Sequence, residues 1–218
     1  MNTEVSDTEQ TQEEEQPPIA CIREETVYQS ADNKWVHLRF DHVEFRQHNF
    51  HGRYNVVVEN KGVAGVVVVP IRSRSAEKAA EVALIRQFRY PVGQWSTEFP
   101  RGFGTDTRPS AQQAREELRE ETRLDVHCDA DIVSLSVHDR PLWTNTGISD
   151  SRVEYFAARD VFSQPNSAPL GNGVGDGDDG AEVIDQVVWL TLDAVGEWIR
   201  VGRICDHFTI CAYALLCA

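Results

Sequence analysis

The stretch GFGTDTRPSAQQAREELREETRL, residues 102–124, decides how the rest of the chain is read. Two glycines and a proline precede Ser110, and an uninterrupted run of helix formers follows. Ser110 with Gln113 three residues later has the form of a capping box, which predicts a helix from Ser110 to about Thr122. At about 100° per residue, Ala111, Ala114 and Leu118 make the stripe that faces a core. Arg115, Arg119 and Arg123 make a second stripe, and Glu117, Glu120 and Glu121 gather on a third face. Like charges at these spacings repel by roughly 0.2–0.5 kcal/mol per pair, and the arginines stand on another face. Three converging carboxylates suit a hard divalent cation, which takes oxygen ligands. A solvated charged face is the other reading of the same pattern.

Just upstream, Trp95-Ser-Thr-Glu98-Phe-Pro-Arg-Gly102 places a carboxylate and a glycine-bearing loop before the helix. Glycine lets backbone approach a ligand closely, and a helix N-terminus favours anions. Further out, Val36, Leu38 and Phe40 alternate with Trp35, His37 and Arg39, the period of a half-buried strand. Residues 54–59, 63–71 and 82–90 continue the β signal, and 72–81 reads as a loop or hairpin turn. Beyond the helix, strands are expected at 131–138, 153–158 and 183–192, then two short helices broken near Gly202. Residues 1–18 read as a disordered acidic tail, and 163–181, rich in Gly, Asn, Pro and Asp, as a long loop. This is an α/β chain: a β region over 19–60, then a main domain over 61–218.

Charge excludes some partners. With 21 Lys+Arg against 35 Asp+Glu the net charge is −14, which rules out a basic face for nucleic acid or anionic membrane. Six acids fall in residues 1–16 and five in 171–185, neither stretch holding a base, so the remainder is close to balanced. No signal peptide or spanning segment is evident, and a cytoplasmic protein is expected. Five cysteines without a CxxC pair are expected to be buried free thiols.

Residues 102–124 resemble the Nudix box, G-x5-E-x7-R-E-U-x-E-E-x-G-U, where U is a bulky aliphatic. Gly102, Glu117, Leu118, Glu120, Glu121 and Leu124 match it. Three positions depart: Arg108 stands for Glu, Glu116 for Arg and Arg123 for Gly. The first two are a reciprocal charge swap, which predicts an Arg108–Glu116 ion pair. The third removes the residue best suited to a left-handed helix end, at about 1 kcal/mol. The resemblance implies a Nudix-type α/β/α sandwich with a mixed sheet. It also implies Mg²⁺ or Mn²⁺ held by Glu117, Glu120 and Glu121, with Glu98 assisting, and hydrolysis of a nucleoside diphosphate linked to another group.

The wider chain, about residues 27–218, is similar to ADP-ribose and other ADP-sugar pyrophosphatases. Arg86-Gln-Phe-Arg89-Tyr-Pro91 is similar to their strand before the box, which implies that Arg89 contacts the diphosphate. A surface ion pair is the alternative for that arginine. Lys34-Trp35-Val36-His37-Leu38 and Gly52-Arg53-Tyr54 resemble the strands whose aromatics stack on adenine, implying Trp35 and Tyr54 in that role; Trp35 covering a core is the alternative. Glu182 falls where the subfamily carries a water-activating glutamate, with Asp178 and Asp179 as rivals. A homodimer exchanging N-terminal strands is also implied. The competing expectation is a catalytically inactive Nudix-fold binding or sensor protein, favoured by the three departures. A transcriptional regulator lacks any basic face to support it.

Overall fold

The computed structural model describes residues 16–29, 35–73, 79–136, 140–164 and 183–218. Its central strand, β5 (Gly65–Arg72), is the run GVVVVPIR, and all four valines are buried. A strand apolar on both sides must be covered on both faces. Helix α1 (Ser110–Thr122) covers one face, where Val66 and Val68 meet Ala83, Ala114 and Leu118. Helices α2 (Leu192–Arg200) and α3 (His207–Cys217) cover the other, where Val67 and Val69 meet Leu84, Phe99, Val195 and Ala212.

On one side β5 runs parallel to β12 (Arg152–Ala158), which pairs antiparallel with β10 (Ile132–Ser134) and β11 (Leu142–Trp143). On the other side it meets β8 (Arg101–Gly102) and the start of β6 (Glu81–Arg89). Strand β6 also carries β7 (Gln94–Glu98) and β14 (Ile184–Thr191). These eight strands make one mixed sheet between helices, an α/β/α sandwich. A two-stranded ladder, β9 (Leu124–Asp125) with β13 (Phe162–Ser163), ties the residues after α1 to the body.

Before the sandwich lies a four-stranded antiparallel sheet. Strand β3 (Val36–Phe45) pairs along its length with β4 (Phe50–Glu59) and on its other edge with β1 (Ile19–Arg23) and β2 (Thr26–Gln29). Side chains such as Ile22, Val27, Tyr28 and Leu38 are exposed there.

Two expectations are corrected. Ser110 is the first helical residue and Pro109 the N-cap; the Ser110 hydroxyl donates to Glu154 Oε1 of β12 (2.7 Å) instead of capping the helix. A carboxylate is the stronger acceptor, so the tertiary bond displaces the local one. Gln113 turns to Glu117. The cysteines are free thiols, but Cys21, Cys128, Cys205 and Cys217 are exposed and Cys211 is half-buried, because they lie on outer strands, turns and a helix end. The acidic residues 1–15 and most of the loop 163–181 lie outside the described residues. No helix among the described residues is long and apolar enough to cross a membrane.

Candidate functional site

Strand register selects the site's first carboxylate. Glu98 of β7 stands opposite Ile85 of β6, and the odd-numbered residues of β6 share the face covered by α1. Glu98 is 1% exposed. Arg89 closes on it in a fork, Nε at 3.1 Å from each carboxylate oxygen and Nη2 at 2.6 Å from Oε2. Arg101 Nε adds a contact at 3.2 Å. Burial pushes the Glu98 carboxyl up, but the bonds and charges of Arg89 and Arg101 outweigh it and hold the group below its usual value. The arginine expected to grip a diphosphate is thus anchored by the glutamate expected to assist a metal.

The next two residues bring in the helix. The Arg101 N–H donates to Glu121 Oε2 at 2.9 Å, and Glu121 is buried. Gly102 lies against Glu117: a Cβ added there would come 2.2 Å from Glu117 Oε1. A side chain there would have to push the Glu117 carboxylate aside. Gly104 is the more restricted, since its Cβ would meet the backbone oxygen of Ala64 at 2.1 Å. Glu98, Glu117 and Glu121 are therefore drawn to the short strand Arg101–Gly102, with half-buried Glu120 on the same helix. Gln113 Nε2 donates to Glu117 Oε1 at 3.1 Å.

The donor set fits a hard divalent cation in chemistry, since Glu117, Glu120 and Glu121 supply only carboxylate oxygens beside a glycine cradle. As the side chains stand, no group of three or more His, Cys, Asp or Glu placed to hold a metal occurs among the described residues. Glu98 is committed to two arginines.

Around this centre the helix is anchored by ion pairs. Arg108 Nη1 bonds Glu116 Oε2, as the reciprocal swap predicts. Arg115 Nε and Arg119 Nη2 both reach Asp125, each at 2.8 Å. Burial pushes Asp125 up, but these two guanidinium groups outweigh it and hold the carboxyl down at about 2. Arg123 ends the helix in the left-handed region, at φ 60° and ψ 19°.

The aromatic candidates separate. Trp35 stacks on Phe103 of the loop after β8, with ring centroids 5.3 Å apart and planes within 5°. Tyr54 stands opposite Asp41, six residues along β3 from Trp35, roughly 20 Å away at about 3.4 Å per residue. Within one chain the two do not face each other. Glu182, Asp178 and Asp179 lie outside the described residues.

Two contributions escape sequence reasoning. Arg101 stands just before the motif and is picked out only by its bonds to Glu98 and Glu121. Trp143 lies with Tyr54 along a cleft of about 310 Å³. Its one sequence signal is an aromatic beside the Gly- and Asn-bearing turn 144–151.

A solved structure described as "Crystal structure of ADP compounds hydrolase" matches with a TM-score of 0.70 and 17% identity, over 92% of this chain and 92% of that one. No protein-family model matches the sequence, and no curated protein matches it. At 17% identity the likeness is one of fold, and the fold is the Nudix-type α/β/α sandwich, a mixed sheet between helices preceded by a β region.

Proposed function

We propose that the protein hydrolyses the diphosphate bond of a nucleoside diphosphate sugar such as ADP-ribose, giving AMP and a sugar phosphate. The observation that carries this is the meeting of two chemistries at Arg101–Gly102: the Glu117 and Glu121 carboxylates of α1 and the buried Arg89–Glu98–Arg101 cluster. Glu117, Glu120 and Glu121 would hold Mg²⁺ or Mn²⁺. The chemistry such an ion would supply is neutralisation of charge on the leaving phosphate and a lower pKa for the attacking water. Arg89 and Arg101 present guanidinium groups to the diphosphate, and Glu98 fixes their orientation, so little side-chain freedom is lost on binding. Glu182 is the proposed base, and Tyr54 with Trp35 the proposed aromatic contacts. Exposed apolar side chains on the N-terminal strands, Ile22, Val27 and Tyr28, would be covered by a second copy in a homodimer, which sedimentation measures. The structural neighbour is described as a hydrolase of ADP compounds, which supports this reading.

The test is incubation with ADP-ribose and Mg²⁺ while AMP release is followed. Glu120→Gln should lower turnover by about 100-fold or more with little change in Tm, and a chelator should abolish it. Near-normal turnover in that variant removes the metal assignment. The absence of a ready three-carboxylate cluster among the described residues favours the second reading, a non-catalytic nucleotide-binding module. That reading prevails if AMP is not released while ADP-ribose still raises Tm.

A further inference from the structure

We propose that Gln113 is a positioning residue for the divalent-ion site and fixes the direction of the Glu117 carboxylate, an inference that rests on the metal assignment proposed above. Four residues before Glu117, Gln113 stands on the helix face that carries Glu117, Glu120 and Glu121. Its Nε2 donates to Glu117 Oε1 at 3.1 Å. A carboxylate only accepts, so the amide must turn its NH₂ edge toward Glu117. The same carboxylate lies face-on to Gly102, where an added Cβ would meet Oε1, Cδ and Oε2 at 2.2, 2.3 and 2.4 Å. Glu117 is thus placed by an amide donor and a glycine surface together.

Stability does not account for a glutamine at this position. Gln113 is 6% exposed, and its Oε1 is buried with no hydrogen-bond partner among the described residues. A buried amide that satisfies only its donor edge costs stability where an apolar side chain of similar length would not. The contact with Glu117 is what the amide supplies in return. The frame behind it is firm. Ala114 and Leu118 are fully buried, and Ser110 Oγ donates to Glu154 Oε1 of β12 at 2.7 Å. The backbone of α1 is therefore fixed against the sheet, and Gln113 passes that fixation on to Glu117.

The neighbouring carboxylates are placed by other means. Glu121 Oε2 accepts from the Arg101 N–H at 2.9 Å, a backbone donor that side-chain substitution leaves in place. Glu98 is held by the guanidinium groups of Arg89 and Arg101. At Glu117 the donor is neutral, and on this face neutrality matters. Lys or Arg at position 113 would compete with a cation for Glu117, and Asp or Glu would add a carboxylate with no N–H to give. Glutamine combines the reach, the donor and the absence of charge.

The experiment titrates the full chain with Mn²⁺ alone, follows free Mn²⁺ by electron paramagnetic resonance, and measures Tm on the same samples. Gln113→Met keeps the length of the side chain but removes the donor. It should bind Mn²⁺ about tenfold more weakly than wild type, while its metal-free Tm stays level or rises. Gln113→Ala should lose affinity to the same extent, so the test does not depend on one variant folding. In Glu117→Gln, adding Gln113→Met should have little further effect, because the carboxylate it positions is gone. With ADP-ribose, Gln113→Met should need more Mg²⁺ for half-maximal turnover. The proposal is overturned if both variants at position 113 bind Mn²⁺ as wild type does, or if the loss is as large in Glu117→Gln. Wild type that binds no Mn²⁺, or Glu117→Gln that binds it as tightly as wild type, removes the metal assignment and this proposal with it. Mn²⁺ binding that weakens in both Glu117→Gln and Gln113→Met without ADP-ribose hydrolysis removes the catalytic reading and leaves the positioning role standing.

Discussion

Arg108 and Glu116 are bonded to each other across the start of α1, each carrying the charge that the Nudix pattern assigns to the other. The pair joins the loop after β8 to the helix that bears Glu117, so it steadies the approach to the site. Both side chains are well exposed, which limits the pair to about 0–1 kcal/mol. Arg108→Glu and Glu116→Arg should each lower stability or turnover, and the double swap should recover most of the loss. A double-mutant cycle on Tm and turnover checks this; simple additivity would show that the pair has no coupling.

Arg123 has the left-handed conformation that the pattern reserves for glycine. Its N–H still donates to Arg119 O at 3.0 Å, so the helix end is intact and the strain is conformational. Arg123→Gly should raise stability by about 0.5–1 kcal/mol, and Arg123→Val should lower it by a similar amount or more. Urea unfolding of the two variants measures the difference.

Glu98 is buried and depends on Arg89 for three of its contacts. Arg89→Ala leaves Glu98 with Arg101 and Ser96 and should cost about 2–3 kcal/mol, below the full penalty of an unpaired buried charge. Arg89→Lys should recover part of the stability but little of the turnover, because a point charge cannot reproduce the fork. Arg86→Ala is the control: Arg86 pairs with partly exposed Asp185 and lies over Trp95 on the opposite sheet face, and its loss should cost less. Equal losses at positions 86 and 89 would contradict the assignment.

Asp125 links pH to stability through α1. Its carboxyl is held at about 2 in the folded chain against an ordinary value of 3.8. A depressed folded pKa stabilises the fold when the group is ionised, so the contribution is complete above about pH 4 and is lost as pH falls toward 2. Its size is about 2 kcal/mol. Asp125→Asn should therefore be less stable at neutral pH and lose less stability than wild type between pH 4 and 2. Parallel stability curves for the two proteins across that window would show that Asp125 is not the group responsible.

What was legible in the sequence was local or periodic. Ala114 and Leu118 are fully buried as their spacing requires, the four valines mark a strand covered on both faces, and Gly202 with φ +72° lies between the last two helices. The Arg108–Glu116 pair was legible too, since two departures of opposite sign at one helix start compensate each other. Partners far apart along the chain were not. Ser110 finds Glu154, Arg101 joins Glu98 to Glu121, Trp35 lies on Phe103, and Tyr54 shares a cleft with Trp143. Strand register and the stacking of layers choose these contacts. Hydrophobic period says which face of a strand or helix turns inward, but only the assembled sheet decides which side chain from another segment it meets there.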